Sequence, residues 1–198
     1  LAMALSKISG PVLLPDVQPI SLKQAWSKLM ARDVIFLIAA IGIANMAING
    51  ATSVLSNFIY NELGGSRSQV SAAWTIATFS EFPLLYGSIY FLKRFGIKGL
   101  MMTGMICSTI RMGILAQIES FHALYAVQIL HGLFYGASLS GVGIYLARRY
   151  GTKDMQRLQL IAQSLYGGIA GVVGGHLTGI IWSHWGLRSV YLGSFAIA

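Results

Sequence analysis

The sequence predicts an all-α membrane protein, a bundle of about six transmembrane helices. Three observations carry that prediction. Hydrophobic residues make up 55% of the 198-residue chain and charged residues only 10%, against roughly 25% charged in soluble globular chains. So few charges cannot cover a water-soluble fold of this length. The apolar residues gather into runs of about 20, the length that crosses roughly 30 Å of hydrocarbon. Finally, Lys and Arg collect in the turns between the runs, and they do so at every second turn.

Residues 1–32 stand apart from the transmembrane bundle, 33–198. Pro11, Pro15 and Pro19 mark an irregular stretch. Residues 21–32 read as a short amphipathic basic helix carrying Lys23, Lys28 and Arg32, a surface segment leading into the membrane. The spans then run at about 34–60, 70–92, 99–118, 121–146 and 158–182. A sixth begins near Val190 and has only eight or nine residues, too few to cross a bilayer, so a last helix cut short and a longer parent protein are expected.

One set of turns holds Lys23, Lys28 and Arg32, then Lys93, Arg94 and Lys98, then Arg148, Arg149, Lys153 and Arg157. The other set holds Glu62 with Arg67, then Glu119, then Arg188. Short basic loops stay in the cytoplasm, so the basic turns are expected there, with the first span running outward. A cell membrane is the expected location, the bacterial inner membrane in particular. This placement gives the net charge of +8 no nucleic-acid meaning. The lone Cys107 excludes an intrachain disulfide.

Two turns echo each other. Arg94-Phe95-Gly96-Ile97-Lys98 ends the second span and His184-Trp185-Gly186-Leu187-Arg188 ends the fifth, both basic-aromatic-Gly-aliphatic-basic. Three spans separate them, which places them on opposite sides of the membrane, as an inverted three-plus-three repeat would.

The few ionisable groups inside the spans are costly there and usually functional. Glu81 lies about eleven residues into the second span and His131 about ten into the fourth, both near mid-membrane at a rise of ~1.5 Å per residue. Arg111 sits about seven residues from the outer end of the third span, at a similar level. An arginine in low dielectric needs a partner, and its fork suits a carboxylate. A glutamate there can instead take up a proton, and histidine can donate or accept a hydrogen bond. The three are expected to meet in one cavity as a proton and substrate site. The alternatives are a static Glu81–Arg111 pair that holds the bundle together and a packing role for His131.

Polar stripes at helical spacing accompany them. Asn45, Asn49, Thr52 and Ser56 mark the first span, Trp74, Thr78 and Glu81 the second, with Pro83 a site for a kink. Gln128, His131 and Tyr135 mark the fourth, and Gln163 and Tyr166 the fifth. Depth selects Asn49, Thr78 and Gln128 as further candidate binding residues, and Trp74 could stack on a sugar or nucleoside ring. Gly167, Gly171, Gly175 and Gly179 form a bare ridge on the fifth span, and Gly132 with Gly136 a shorter one on the fourth. Close helix contact is the expected use, with sliding of smooth faces as the alternative. No spacing calls for a metal or cofactor, and no nucleophile–base pair is readable, so an enzyme is not expected.

Glu81-Phe82-Pro83, Arg111 and Leu130-His131-Gly132-Leu133-Phe134-Tyr135-Gly136 together resemble the C-terminal half of the major facilitator superfamily, in its lactose permease-like and phenylpropionate permease-like branch. The turn Lys93-Arg94-Phe95-Gly96-Ile97-Lys98 is similar to that family's loop motif, with Lys93 where an Asp is usual, and residues 1–32 look like its central cytoplasmic loop. The resemblance implies a six-helix half-bundle and places Glu81, Arg111 and His131 at a sugar- and proton-coupling site. The family's proton-carrying glutamate corresponds here to Phe134, which leaves Glu81 as the carrier. The expected function is that of a secondary transporter, proton-coupled, moving a sugar, nucleoside or aromatic acid by alternating access. Its expected partners are that solute, protons, the lipid bilayer and the N-terminal half of the same permease. The alternative is a membrane scaffold or receptor that transports nothing.

Overall fold

The computed structural model describes residues 20–197, and they form helices and turns with no strand among them. The prolines at positions 11, 15 and 19 lie outside the described residues. The first helix, α1 (Leu22–Leu29), starts at a capping box in which Ser21 and Gln24 satisfy each other's backbone N–H. It is the basic amphipathic helix expected from the sequence, and it buries Ala25 and Leu29.

Six spans come next, forming an all-α half-bundle. The first is α2 (Arg32–Ser53) continued by α3 (Leu55–Asn61). The second is α4 (Arg67–Phe79) and the opening part of α5 (Phe82–Leu115), whose later part is the third span. The fourth is α6 (Phe121–Tyr150). The fifth is α7 (Thr152–Gln163), a π-turn over Ser164–Ile169 and α8 (Ala170–Trp185). The sixth is the short helix α9 (Leu187–Ile197), whose 11 residues are too few to cross a bilayer alone. Arg32–Asn61, Phe121–Tyr150 and Thr152–Trp185 are each long and apolar enough to cross a membrane.

Among the described residues four glycines with positive φ mark the internal repeat: Gly64, Gly96, Gly151 and Gly186. Gly64 joins spans one and two, and Gly151 joins four and five. Gly96 (φ 70°, ψ 179°) joins two and three, and Gly186 (φ 83°, ψ 171°) joins five and six. The two halves of the sequence echo thus share one backbone conformation that essentially only glycine adopts.

The turns sort into two ends. At the basic end, Lys28 pairs with Asp154, Tyr150 Oη donates to the Lys28 carbonyl (2.6 Å), and Asp33 accepts from Tyr145 Oη (2.5 Å) and Arg149 Nη2 (3.2 Å). At the opposite end, Arg188 lies 3.7 Å from Glu62 and donates to the carbonyls of Ala116 and Ile118. A core of Phe58, Leu115, Leu124 and Tyr191 lies toward that end, and one of Leu29, Val34, Leu146 and Leu158 toward the basic end.

Between the ends, glycine sets how closely spans approach. A Cβ on Gly132 would lie 2.2 Å from the Ser80 carbonyl carbon, and one on Gly174 would lie 2.1 Å from the Met46 carbonyl oxygen. The Gly132–Gly136 ridge makes the contact expected of it, against Ser80 and Leu84. The fifth-span ridge does not. A Cβ on Gly171, Gly175 or Gly179 would meet nothing within 4 Å, and one on Gly167 would meet only Gln163 at 4.0 Å. The face that packs on the first span is offset from the ridge, carrying Ala170, Gly174 and Thr178. Counting glycines found the bareness of this helix but missed which side is buried.

Gly132→Ala is expected to lower stability by about 1–3 kcal/mol, because the added methyl meets backbone that cannot give way. Gly171→Ala, facing open space, should change it by less than about 0.5 kcal/mol. Thermal unfolding of the detergent-solubilised variants checks the contrast, and equal losses would contradict the packing described.

Candidate functional site

The site begins at a broken helix. Pro83 has no N–H to bond back to residue 79, so α4 and α5 separate at Ser80 and Glu81. The Ser80 hydroxyl fills the gap. It donates to the Ala77 carbonyl (2.6 Å), lies 3.2 Å from the Gln128 carbonyl and accepts from the Gly132 N–H (3.0 Å). The Ser80 side chain thereby ties the second span to the backbone of the fourth, and the residue after Ser80 is Glu81.

Glu81 Oε1 lies 3.8 Å from His131 Nε2, within ion-pair range when the histidine is protonated and beyond hydrogen-bond length. His131 is buried, with Trp74 edge-on at 6.1 Å and the Tyr135 ring at 4.5 Å. Tyr135 Oη donates to Asn49 Oδ1, Asn49 Nδ2 donates to Asn45 Oδ1 (3.2 Å), and Asn45 Nδ2 donates to the Ile41 carbonyl (2.9 Å). This polar chain borders a cavity of about 320 Å³ between the first, second, fourth and fifth spans. Its polar lining is Asn45, Asn49, Glu81, Tyr135, Ser138, Gln163 and Tyr166, and its apolar lining includes Leu85, Phe134 and Leu139.

Arg111 is elsewhere. It is 1% exposed, sits behind the fourth span, and donates through Nη2 to Gln128 Oε1 (3.1 Å) and through Nη1 to Thr52 Oγ1 (3.4 Å). Among the described residues no carboxylate comes within 4 Å of it, so the Glu81–Arg111 pair, the alternative raised by the sequence, does not form here. The reason is packing. The fourth span stands between the two residues, holding the second span at Ser80–Gly132 and the third at the Gly104–Ala137 contact. Gln128 and His131, three residues apart, divide the work: one meets the arginine and the other the glutamate.

The structure therefore brings Glu81, His131 and Asn49 together at the cavity, with Trp74 beside His131, while Arg111 and Gln128 are buried outside the lining. Thr78 is exposed and lies outside the lining. Ser138 lines the cavity and continues the Gln128–His131–Tyr135 stripe by three residues, so the same spacing would have found it. Asn45, Tyr135, Gln163 and Tyr166 belong to stripes seen in the sequence, but nothing there distinguished a cavity wall from a helix contact. Arg111 Nε, Gln128 Nε2 and His131 Nδ1 are buried without a protein partner, leaving hydrogen-bonding capacity next to the cavity.

Removing the amide that holds Arg111 should therefore be costly. Gln128→Leu is expected to destabilise the protein by about 1–3 kcal/mol, the cost of an unsatisfied buried charged donor, while Thr78→Ala should stay within about 0.5 kcal/mol of the parent. Thermal unfolding of both variants reads the difference. A neutral Gln128→Leu would show that Arg111 draws its support from other groups.

Such a site, a polar cavity with a carboxylate and a histidine deep inside an apolar helix bundle, is the kind through which membrane proteins move solutes. The comparisons with known proteins agree. A model described as the MFS_1 like family matches residues 4–193, nearly the whole chain. Neither the curated proteins nor the solved structures gave a match. The chain belongs to the MFS_1 like family and is a membrane transporter of the major facilitator type.

Proposed function

We propose that this chain is the C-terminal half of a proton-coupled symporter, in the lactose permease-like or phenylpropionate permease-like branch. It moves a small organic solute by alternating access. The observation that carries the reading is the Glu81–His131 approach of 3.8 Å at the edge of the polar cavity. A carboxylate placed there can hold a proton when the histidine is neutral and release it when solute or a cation comes near. Phe134, buried beside it, cannot take that role.

In this reading residues 1–32 are the central cytoplasmic loop, residues 33–198 the bundle, and the basic end faces the cytoplasm of a bacterial inner membrane. The N-terminal half of the same permease covers the cavity. The half-exposed Glu81 and the exposed Gln163 support that partner, since such groups at membrane depth face protein or water and not lipid. Among the three solute classes, the lining favours a sugar or nucleoside over an aromatic acid. It offers amides and hydroxyls, while the one fully buried cation among the described residues, Arg111, is engaged by Gln128 and Thr52.

The test is substrate-driven alkalinisation of the medium by cells bearing the intact protein, screened across sugars, nucleosides and aromatic acids. Glu81→Gln should abolish alkalinisation while solute binding, followed by thermal shift, persists. Alkalinisation at the parent rate in Glu81→Gln would remove Glu81 as carrier, and no uptake of any solute by the parent would favour a scaffold or receptor.

A further inference from the structure

The fifth span contains a feature that solute binding leaves unexplained, the π-turn at Ser164–Ile169. Its origin lies in the spacing of the buried residues. Leu158, Ala162, Tyr166, Ala170, Gly174 and Thr178 are all buried and fall every fourth residue. Four residues overshoot one α-helical turn by about 40°, so five such steps on a regular helix drift by about 200° and the stripe winds to the far side. A turn bonded i→i+5 holds one residue more and takes back about 100°. The π-turn thus keeps one buried stripe against two neighbours that lie along different parts of the helix.

Those neighbours differ. The basic-end piece, α7, packs Leu158 and Ala162 with Ala25 and Leu29 of α1, pairs Asp154 with Lys28, and donates from Gln159 Nε2 to the Leu139 carbonyl of the fourth span (3.0 Å). The other piece, α8, sets Gly174 against Met46 and Thr178 against Gly50 of the first span. Between them lie Gly167 and Gly168, and Gln163, Tyr166 and Gly167 line the cavity. A Cβ on Gly168 would meet nothing within 4 Å.

We propose that the Ser164–Ile169 π-turn is a joint within the fifth span. Its exchange between π and α bonding rotates α7 against α8, moves Gln163 and Tyr166 in the cavity wall, and opens or closes the cavity toward the basic end. The mechanical part stands on the helix register and the two separate attachments. The gating part rests on the transport reading given above.

The joint can be tested with no solute present. In a Cys107→Ser background, spin labels on Lys98→Cys and Lys153→Cys report the basic end by pulsed electron resonance in lipid nanodiscs. Labels on Glu119→Cys and Ser183→Cys report the opposite end and confirm folding. The parent should give two distances at the basic end and one at the other. Gly167→Ala with Gly168→Ala, which favours α bonding without a clash, should collapse the basic-end pair to one distance and leave the opposite end unchanged. If the double variant disturbs the opposite end, Gly168→Ala alone replaces it with the same expectation. A single distance in the parent, or two distances surviving the alanines, overturns the joint. With a transported solute in hand, Gly168→Ala alone, outside the cavity lining, should slow uptake several-fold at unchanged affinity. An equal loss of affinity would make the segment part of the binding wall and not a joint.

Discussion

The contact between Ser80 and Gly132 is the constraint on which the rest of the structure depends. One hydroxyl occupies the gap that Pro83 opens in the second span, and the same hydroxyl accepts the Gly132 N–H of the fourth. Only a residue without a side chain allows that approach. Once the two backbones meet there, Glu81 falls beside His131 with no freedom left to choose another partner. The fourth span is then pressed between the second and third, and its two polar faces are assigned: Gln128 to Arg111, His131 to Glu81. The cavity is the space left open on the glutamate side.

The ends of the bundle hold this arrangement differently from its middle. At the basic end, ion pairs and tyrosine hydroxyls tie α1, the first span and the turn between the fourth and fifth spans into one unit. Such exposed pairs are each worth only about 0–1 kcal/mol, so their value lies in number and geometry. At the opposite end a single arginine, Arg188, reaches two carbonyls and a glutamate. In the middle the sole fully buried cation among the described residues, Arg111, is held by neutral groups from two other spans.

Much of this was legible in the sequence, and the parts that were not share a cause. Hydropathy and the alternation of basic turns gave the spans and their arrangement, because both come from the solvent and need no partner. The echo around Gly96 and Gly186 was legible because a backbone conformation open to glycine alone leaves a fixed letter in the chain. Depth along a helix placed Glu81 and His131 at one level. Which residue Arg111 would meet was not legible, since depth says nothing of the helix standing in between. The burial of Gly174 in place of the Gly167–Gly179 ridge was hidden for a related reason: a four-residue period drifts around an α-helix, and the π-turn that corrects it has no sequence mark beyond a pair of glycines.

The gap at Ser80 bears also on how the chain enters a membrane. A helix interrupted at mid-depth, carrying a carboxyl and a proline within one turn of each other, leaves the bilayer backbone groups that α4 and α5 cannot satisfy between themselves. One of them, the Ala77 carbonyl, accepts from the Ser80 hydroxyl, and that hydroxyl's other partners, Gly132 and Gln128, come some fifty residues later in synthesis. The second span therefore meets its full set of polar partners only once the fourth lies beside it.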